Sequence, residues 1–263
     1  MTAPRDFSTI SPSARWLLLL KARTSLPFAR RAAELLFGEV AVAEADNEAS
    51  ASAVPDPRLR HFELRARSLD EALTSVGATR VLELAAGWSF RGLAMAERSG
   101  IAYLDTDLPG IASAKRDLVS KLHPEPLAGS FRVEALDALD ASAFRAAVAT
   151  VPRGPLAVLH EGLLMYLGAE EKARLAANVR EALLERGGAW ITADVYVRSE
   201  THLPRDERAQ KFLADHDVEA NKFADFAAAE SFFTEQGFAV ARNLSPATDP
   251  WRVRETWVLL PVF

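Results

Sequence analysis

The 263 residues contain no cysteine. Disulfides, thiolate metal sites and a cysteine nucleophile are therefore excluded. The absence suits a reducing compartment, and a cytoplasmic location is the expectation. Long apolar runs are also lacking. None approaches the ~20 residues of a membrane span, and the leucines at 17–20 sit between Arg15 and Lys21, so neither a signal peptide nor a membrane segment is expected. Basic charge is not in excess: 31 Lys and Arg against 36 Asp and Glu give a net charge of −5. Without a basic footprint, a nucleic-acid partner is not expected. Neither the GxGxxG turn of dinucleotide sites nor a P-loop Gly-Lys-Ser/Thr occurs, which disfavours nicotinamide cofactors and nucleoside triphosphates. The five histidines show no metal-ligand spacing, and no metal is expected.

What remains is ordinary globular material, 49% apolar and 25% charged, long enough for one large core. The N-terminal stretch SPSARWLLLLKARTSLPFARRAAELLF reads as helices interrupted at Pro27, and residues 1–76 as a helical cap. Within it, the Ala-, Ser- and acid-rich segment 39–57 reads as an exposed loop or mobile linker. A helix over 58–76 leads into the main domain, 77–263.

There, strand patterns at 81–84, 102–105, 131–135, 156–160, 189–194, 239–244 and 256–261 alternate with helical ones. Alternation implies a parallel sheet covered on both faces. The last strand follows its predecessor too closely for a crossover helix, so it is expected antiparallel. The polar segment 195–226 is longer than an ordinary connection and reads as a lid insertion.

The richest stretch is TRVLELAAGWSFRGLAMAERSGIAYLDTDLPGIASAK, 79–115. It reads as a buried strand, a tight turn at Gly87, a helix, and a second strand ending in Asp105 and Asp107. Such a unit sets backbone N–H groups and a positive helix end beside a ligand, with a strand-tip acid where a ribose diol is held. Acids stand at or near four strand ends: Glu83, Asp105 with Asp107, Asp137 and Glu161. S-adenosylmethionine (SAM) needs several, for its sulfonium, ammonium, ribose hydroxyls and adenine amino group. Its carboxylate needs a cation, for which Arg65, Arg91 and Lys115 are candidates.

Four segments, HFELRARSLDEAL, LELAAGWSFR, YLDTDLPGIASAK and HEGLLMYLGAEEKARL, together resemble the leucine carboxyl methyltransferase family, which includes polyketide-type O-methyltransferases. The resemblance spans roughly residues 11–185. It implies an α/β class I SAM-methyltransferase (Rossmann-like) fold with a seven-stranded, mostly parallel sheet. It also implies that Arg65 grips the SAM carboxylate and Gly87 lets the backbone approach the methionine. Asp107, with Lys115 after it, would hold the ribose, and Asp137 with Ala138 would mark the adenine edge. Glu161 would meet the ammonium and Tyr166 would line the wall near the methyl group. The sequence departs from the family where Trp88 and Phe90 stand, in place of the usual small residues and acid.

Plainer roles stand beside these. Glu83 either serves the cofactor, orients Arg91, or forms a structural ion pair. Asp107 could be a helix cap, with Asp105 then taking the ribose. Glu161 could answer a helix dipole, Asp137 a capped turn, and Tyr166 a core position. Among bases, His202 and His216 in the suspected lid are the candidates. The reaction expected is methyl transfer to an oxygen, carboxylate or hydroxyl, of a small molecule or peptide, leaving S-adenosylhomocysteine (SAH). A carboxylate acceptor is already ionised and needs no base. Alternatives are a nicotinamide oxidoreductase on a related sheet, or a non-catalytic SAM-fold scaffold whose pocket Trp88 and Phe90 would block.

Overall fold

The computed structural model describes residues 11–50, 56–198, 207–246, 248 and 253–262. The chain opens with helices Ser11–Lys21 (α1), Ala29–Phe37 (α2), Glu39–Ser50 (α3) and Pro57–Ser75 (α4). The break between α1 and α2 falls at Pro27, after which Phe28 takes the left-handed conformation (φ 60°). Segment 39–57, expected as a loop or linker, is corrected: it is helical through Ser50. Its Ala and Glu residues are strong helix formers, and Val42 is buried in the apolar cluster of the cap.

Seven strands follow: Arg80–Leu84 (β1), Ala102–Asp107 (β2), Ser130–Ala135 (β3), Leu156–His160 (β4), Gly188–Tyr196 (β5), Phe238–Asn243 (β6) and Arg254–Pro261 (β7). They pair in the order β3-β2-β1-β4-β5-β7-β6. The five strands β1 to β5 run parallel, and β7 lies antiparallel between β5 and β6. The expected sheet is therefore found, last strand included. Intervening helices are Arg91–Ala96 (α5), Pro109–Leu122 (α6), Ala141–Thr150 (α7), Ala169–Arg186 (α8), Glu207–Asp215 (α9), Val218–Asn221 (α10) and Phe226–Glu235 (α11).

Alternate residues of each strand face opposite sides, and two clusters result. Leu82, Leu84, Val158 and Trp190 join α7, α8 and α11. Val81, Leu159 and Ile191 join Leu69 and Leu73 of α4. The cap forms a third cluster, in which Leu18, Ala29 and Ala32 pack on Trp88, Phe90 and Leu93. Trp88 and Phe90 thus anchor the cap.

The chain winds outward from β1 through β2 to β3, then returns to β4 on the other side of β1. The crevice beyond the β1 and β4 carboxyl ends is the switch point, where open α/β sheets bind ligands. Among the described residues, no helix is long and apolar enough to cross a membrane, and no three His, Asp or Glu side chains cluster as a metal site.

Candidate functional site

Two turns border the crevice. After β1 the chain enters Ala85 and Gly87 with positive φ (49° and 51°). Glycine tolerates this region; alanine there costs about 1–2 kcal/mol. The turn is held by Asp107 at the end of β2, which accepts the Gly87 N–H at 2.7 Å through one oxygen and the Leu108 N–H at 2.7 Å through the other. Burial raises the Asp107 pKa, and these N–H bonds offset it only in part. The half-buried carboxylate retains lone pairs for further donors.

After β4 comes Glu161, whose side chain is 3% exposed and faces three cations. Oε1 takes Lys21 Nζ at 2.7 Å and Arg65 Nη2 at 2.9 Å, while Oε2 takes Arg91 Nη2 at 3.2 Å. Burial would raise its pKa, but Lys21, Arg65 and Arg91 outweigh that and hold the carboxyl well below its ordinary range. For Lys21 burial prevails, lowering the ammonium below 10.5 although Glu161 pulls the other way. For Arg65, burial is outweighed by Tyr196 and Glu161, and the guanidinium is held above its ordinary value. Lys21 and Arg65 share the single carboxylate of Glu161, which leaves this pair of cations able to meet a further carboxylate.

Glu83 does not reach the crevice. It is fully buried, with one oxygen on Arg91 at 2.7 Å and the other accepting the Tyr103 hydroxyl at 2.5 Å. This buried ion pair fits both orientation of Arg91 and a structural pair. Arg91 also reaches Asp70 at 2.5 Å and the Ala66 carbonyl at 3.2 Å. Lys115 is buried against Asp105 at 2.5 Å, with the Phe90 ring 5.7 Å away, and its charge also reaches Asp107. The direct ion pair of Lys115 is thus with Asp105. Burial raises Asp105 to about 7 despite the ammonium beside it.

Asp137 is exposed and caps its own turn, accepting the Leu139 N–H at 2.9 Å. The Ala138 carbonyl accepts from Asn178 at 2.9 Å. Tyr166 ends a 3-10 turn (Leu164–Tyr166) and meets Phe212 and His216 with ring centroids 6.3 and 6.1 Å apart. Arg65, Arg91 and Glu161 are thus brought together, as are Gly87 and Asp107. His202 lies outside the described residues.

Sequence reasoning missed three residues. Lys21 follows a leucine run and reads as a helix-end cation; only the docked cap brings it to Glu161. Tyr196 accepts from Arg65 at 3.2 Å and lies 3.1 Å from His61 Nε2. Asp194 sits in an apolar strand and binds the Glu161 turn. Beside the cluster a cavity of about 170 Å³ opens, lined by Lys21, Ala66, Trp88, Phe90 and Arg91 among others.

The donor set fits SAM: cations for its carboxylate, anions at two strand ends, and a positive-φ turn against which a ligand can lie closely. Sheet order, the β1 and β4 turns and the strand-end acids define a class I SAM-dependent methyltransferase fold. The leucine carboxyl methyltransferase model matches residues 14–180, and the chain belongs to that family, whose cofactor is SAM. No curated protein sequence matches it. Solved structures share the fold at low identity. The SAM-dependent methyltransferase SibL in its apo form is 16% identical, with 87% of this chain and 60% of that chain covered and a TM-score of 0.51. The N,N-8-amino-8-demethyl-D-riboflavin dimethyltransferase RosA from Streptomyces davawensis is 17% identical, with 97% and 71% covered and a TM-score of 0.52. The magnesium protoporphyrin IX methyltransferase ChlM from Synechocystis PCC 6803, with bound SAH, is 10% identical, with 88% and 99% covered and a TM-score of 0.51. The chain spans about 60% of the length of SibL.

Proposed function

We propose that the protein transfers a methyl group from SAM to an oxygen, carboxylate or hydroxyl, of a small molecule or a peptide. The observation that carries this is the convergence of Lys21, Arg65 and Arg91 on Glu161 across the switch point from the Gly87–Asp107 turn. In this reading Arg65 and Lys21 hold the cofactor carboxylate and Glu161 its ammonium. Asp107 accepts from the ribose, and Asp137 with Ala138 borders the adenine. When bound, SAM supplies an electrophilic methyl group on a sulfonium. The chain then contributes alignment of the acceptor oxygen and a dry, charge-matched setting.

A carboxylate acceptor needs no base; a hydroxyl would need one, and His216 beside Tyr166 is the described side chain available at that wall. Trp88 and Phe90 pack in the cap cluster and also line the cavity beside Glu161.

The test is incubation with methyl-labelled SAM and a panel of carboxylic acids, phenols and C-terminal peptides. Labelled product in at least one class is expected, and mild base separates the two chemistries, because methyl esters release methanol and ethers do not. Label found only on nitrogen or carbon would overturn the oxygen assignment.

A further inference from the structure

We infer that Asp194 is the positioning residue that fixes the Glu161 turn, and through it the methionine end of the cofactor site, an inference that rests on the SAM reading above. Asp194 is 1% exposed near the carboxyl end of β5. It lies where the β5–β7 register slips between Thr192 and Val195. The slip places one extra residue in β5, a bulge of the kind that re-aims a side chain beside a site. The Thr192 hydroxyl, 3.1 Å from the Asp194 N–H, braces the bulge.

The re-aimed carboxylate meets the first residues after β4. Oδ1 accepts the Gly162 N–H at 2.6 Å, and Oδ2 accepts the Leu163 N–H at 2.6 Å, with the Leu164 N–H at 3.4 Å. His160 Nδ1 stands 2.9 Å from the same Oδ2. Every group facing Asp194 here is a donor, and an ionised carboxylate can only accept. Burial would raise its pKa, but His160 and the backbone donors hold it below the ordinary range. Gly162 has φ 81°, a conformation that glycine adopts without steric cost. The peptide so fixed is the one that follows Glu161, so the carboxylate that meets Lys21, Arg65 and Arg91 takes its place from Asp194.

The variant is Asp194→Asn, which keeps the shape but sets an amide NH2 against one of the donors. SAH affinity is measured by calorimetry for wild type, Asp194→Asn, Glu161→Gln and the double variant. Asp194→Asn is expected to weaken SAH by about tenfold or more. The double variant is expected within about twofold of Glu161→Gln alone, because coupled residues are non-additive. Wild-type affinity in Asp194→Asn, or losses that add in full, would overturn the inference.

Amide exchange in the unliganded wild type decides the matter if Asp194→Asn does not fold. Protected Gly162 and Leu163 amides are expected, and rapid exchange at both would overturn the anchor. A wild type that exchanges slowly at both amides yet fails to bind SAH would overturn the cofactor reading instead.

Discussion

The turns after β1 and β4 are built alike. Each places a glycine in the left-handed region, Gly87 at φ 51° and Gly162 at φ 81°. Each gives that glycine's N–H to a carboxylate from the next strand outward, Asp107 of β2 or Asp194 of β5. The carboxylates differ in what is left over. Asp107 is half-buried and has two short N–H partners, leaving lone pairs toward the crevice. Asp194 is buried and surrounded by four donors. The comparison separates two uses of one device. A strand-end acid at the crevice edge can anchor a turn and meet a ligand, whereas one sunk beneath the edge can only anchor.

The comparison breaks most visibly at Arg65. Arg65→Ala removes a buried cation from Glu161, where such losses cost about 3–5 kcal/mol. SAH binding is expected to fall by about 100-fold, and an unchanged dissociation constant would remove Arg65 from the site. Next in size is Asp107→Asn. It should weaken SAH by about tenfold and also lower the melting temperature, because the amide sets its NH2 against one of the two N–H donors. Unchanged affinity would make Asp107 an anchor only, like Asp194.

The turns also differ in strain. Ala85, at φ 49°, stands where glycine is easier, so Ala85→Gly should stabilise the protein by up to about 1 kcal/mol. Gly162→Ala should destabilise it by about 1–2 kcal/mol. Thermal unfolding of the pair checks both signs, and equal signs would contradict the backbone geometry.

The smallest effect concerns the far end of the β4 turn. Lys172 donates to the Leu167 and Asn221 carbonyls, both at 2.6 Å, tying the turn to α10. Burial lowers its pKa from 10.5 to about 8. Between those values the unfolded chain binds the proton and the folded one does not, so stability rises with pH across that window. Wild type should gain on Lys172→Met between pH 8 and 10.5, and parallel pH profiles would contradict a depressed lysine.

Sequence legibility followed the same divide. Strands were readable because short runs rich in apolar and β-branched residues alternate with helical patterns. Asp107 and Glu161 were readable because each interrupts a motif at a strand end, and Arg65 because its helix precedes the first strand. Asp194 was not, since one acid in GAWITADVY looks like the close of an ordinary strand, and no local pattern announces a bulge. Lys21 was invisible for another reason: its partner Glu161 lies 140 residues away, and only docking of the cap joins them. The Lys115–Asp105 pair was not legible because the motif offers two acids, and sequence alone does not say which one burial will pair with the lysine. The helix over Glu39–Ser50 was missed because its composition suits both a solvated loop and an Ala-rich helix, and Val42 tips the balance by packing into the cap.

The most direct measurement is calorimetric titration of the protein with SAH, with NAD and NADP run alongside. Micromolar binding of SAH with no heat from either nicotinamide is the expected result. Heat from NAD or NADP and none from SAH would contradict the assignment of the two turns to a SAM site.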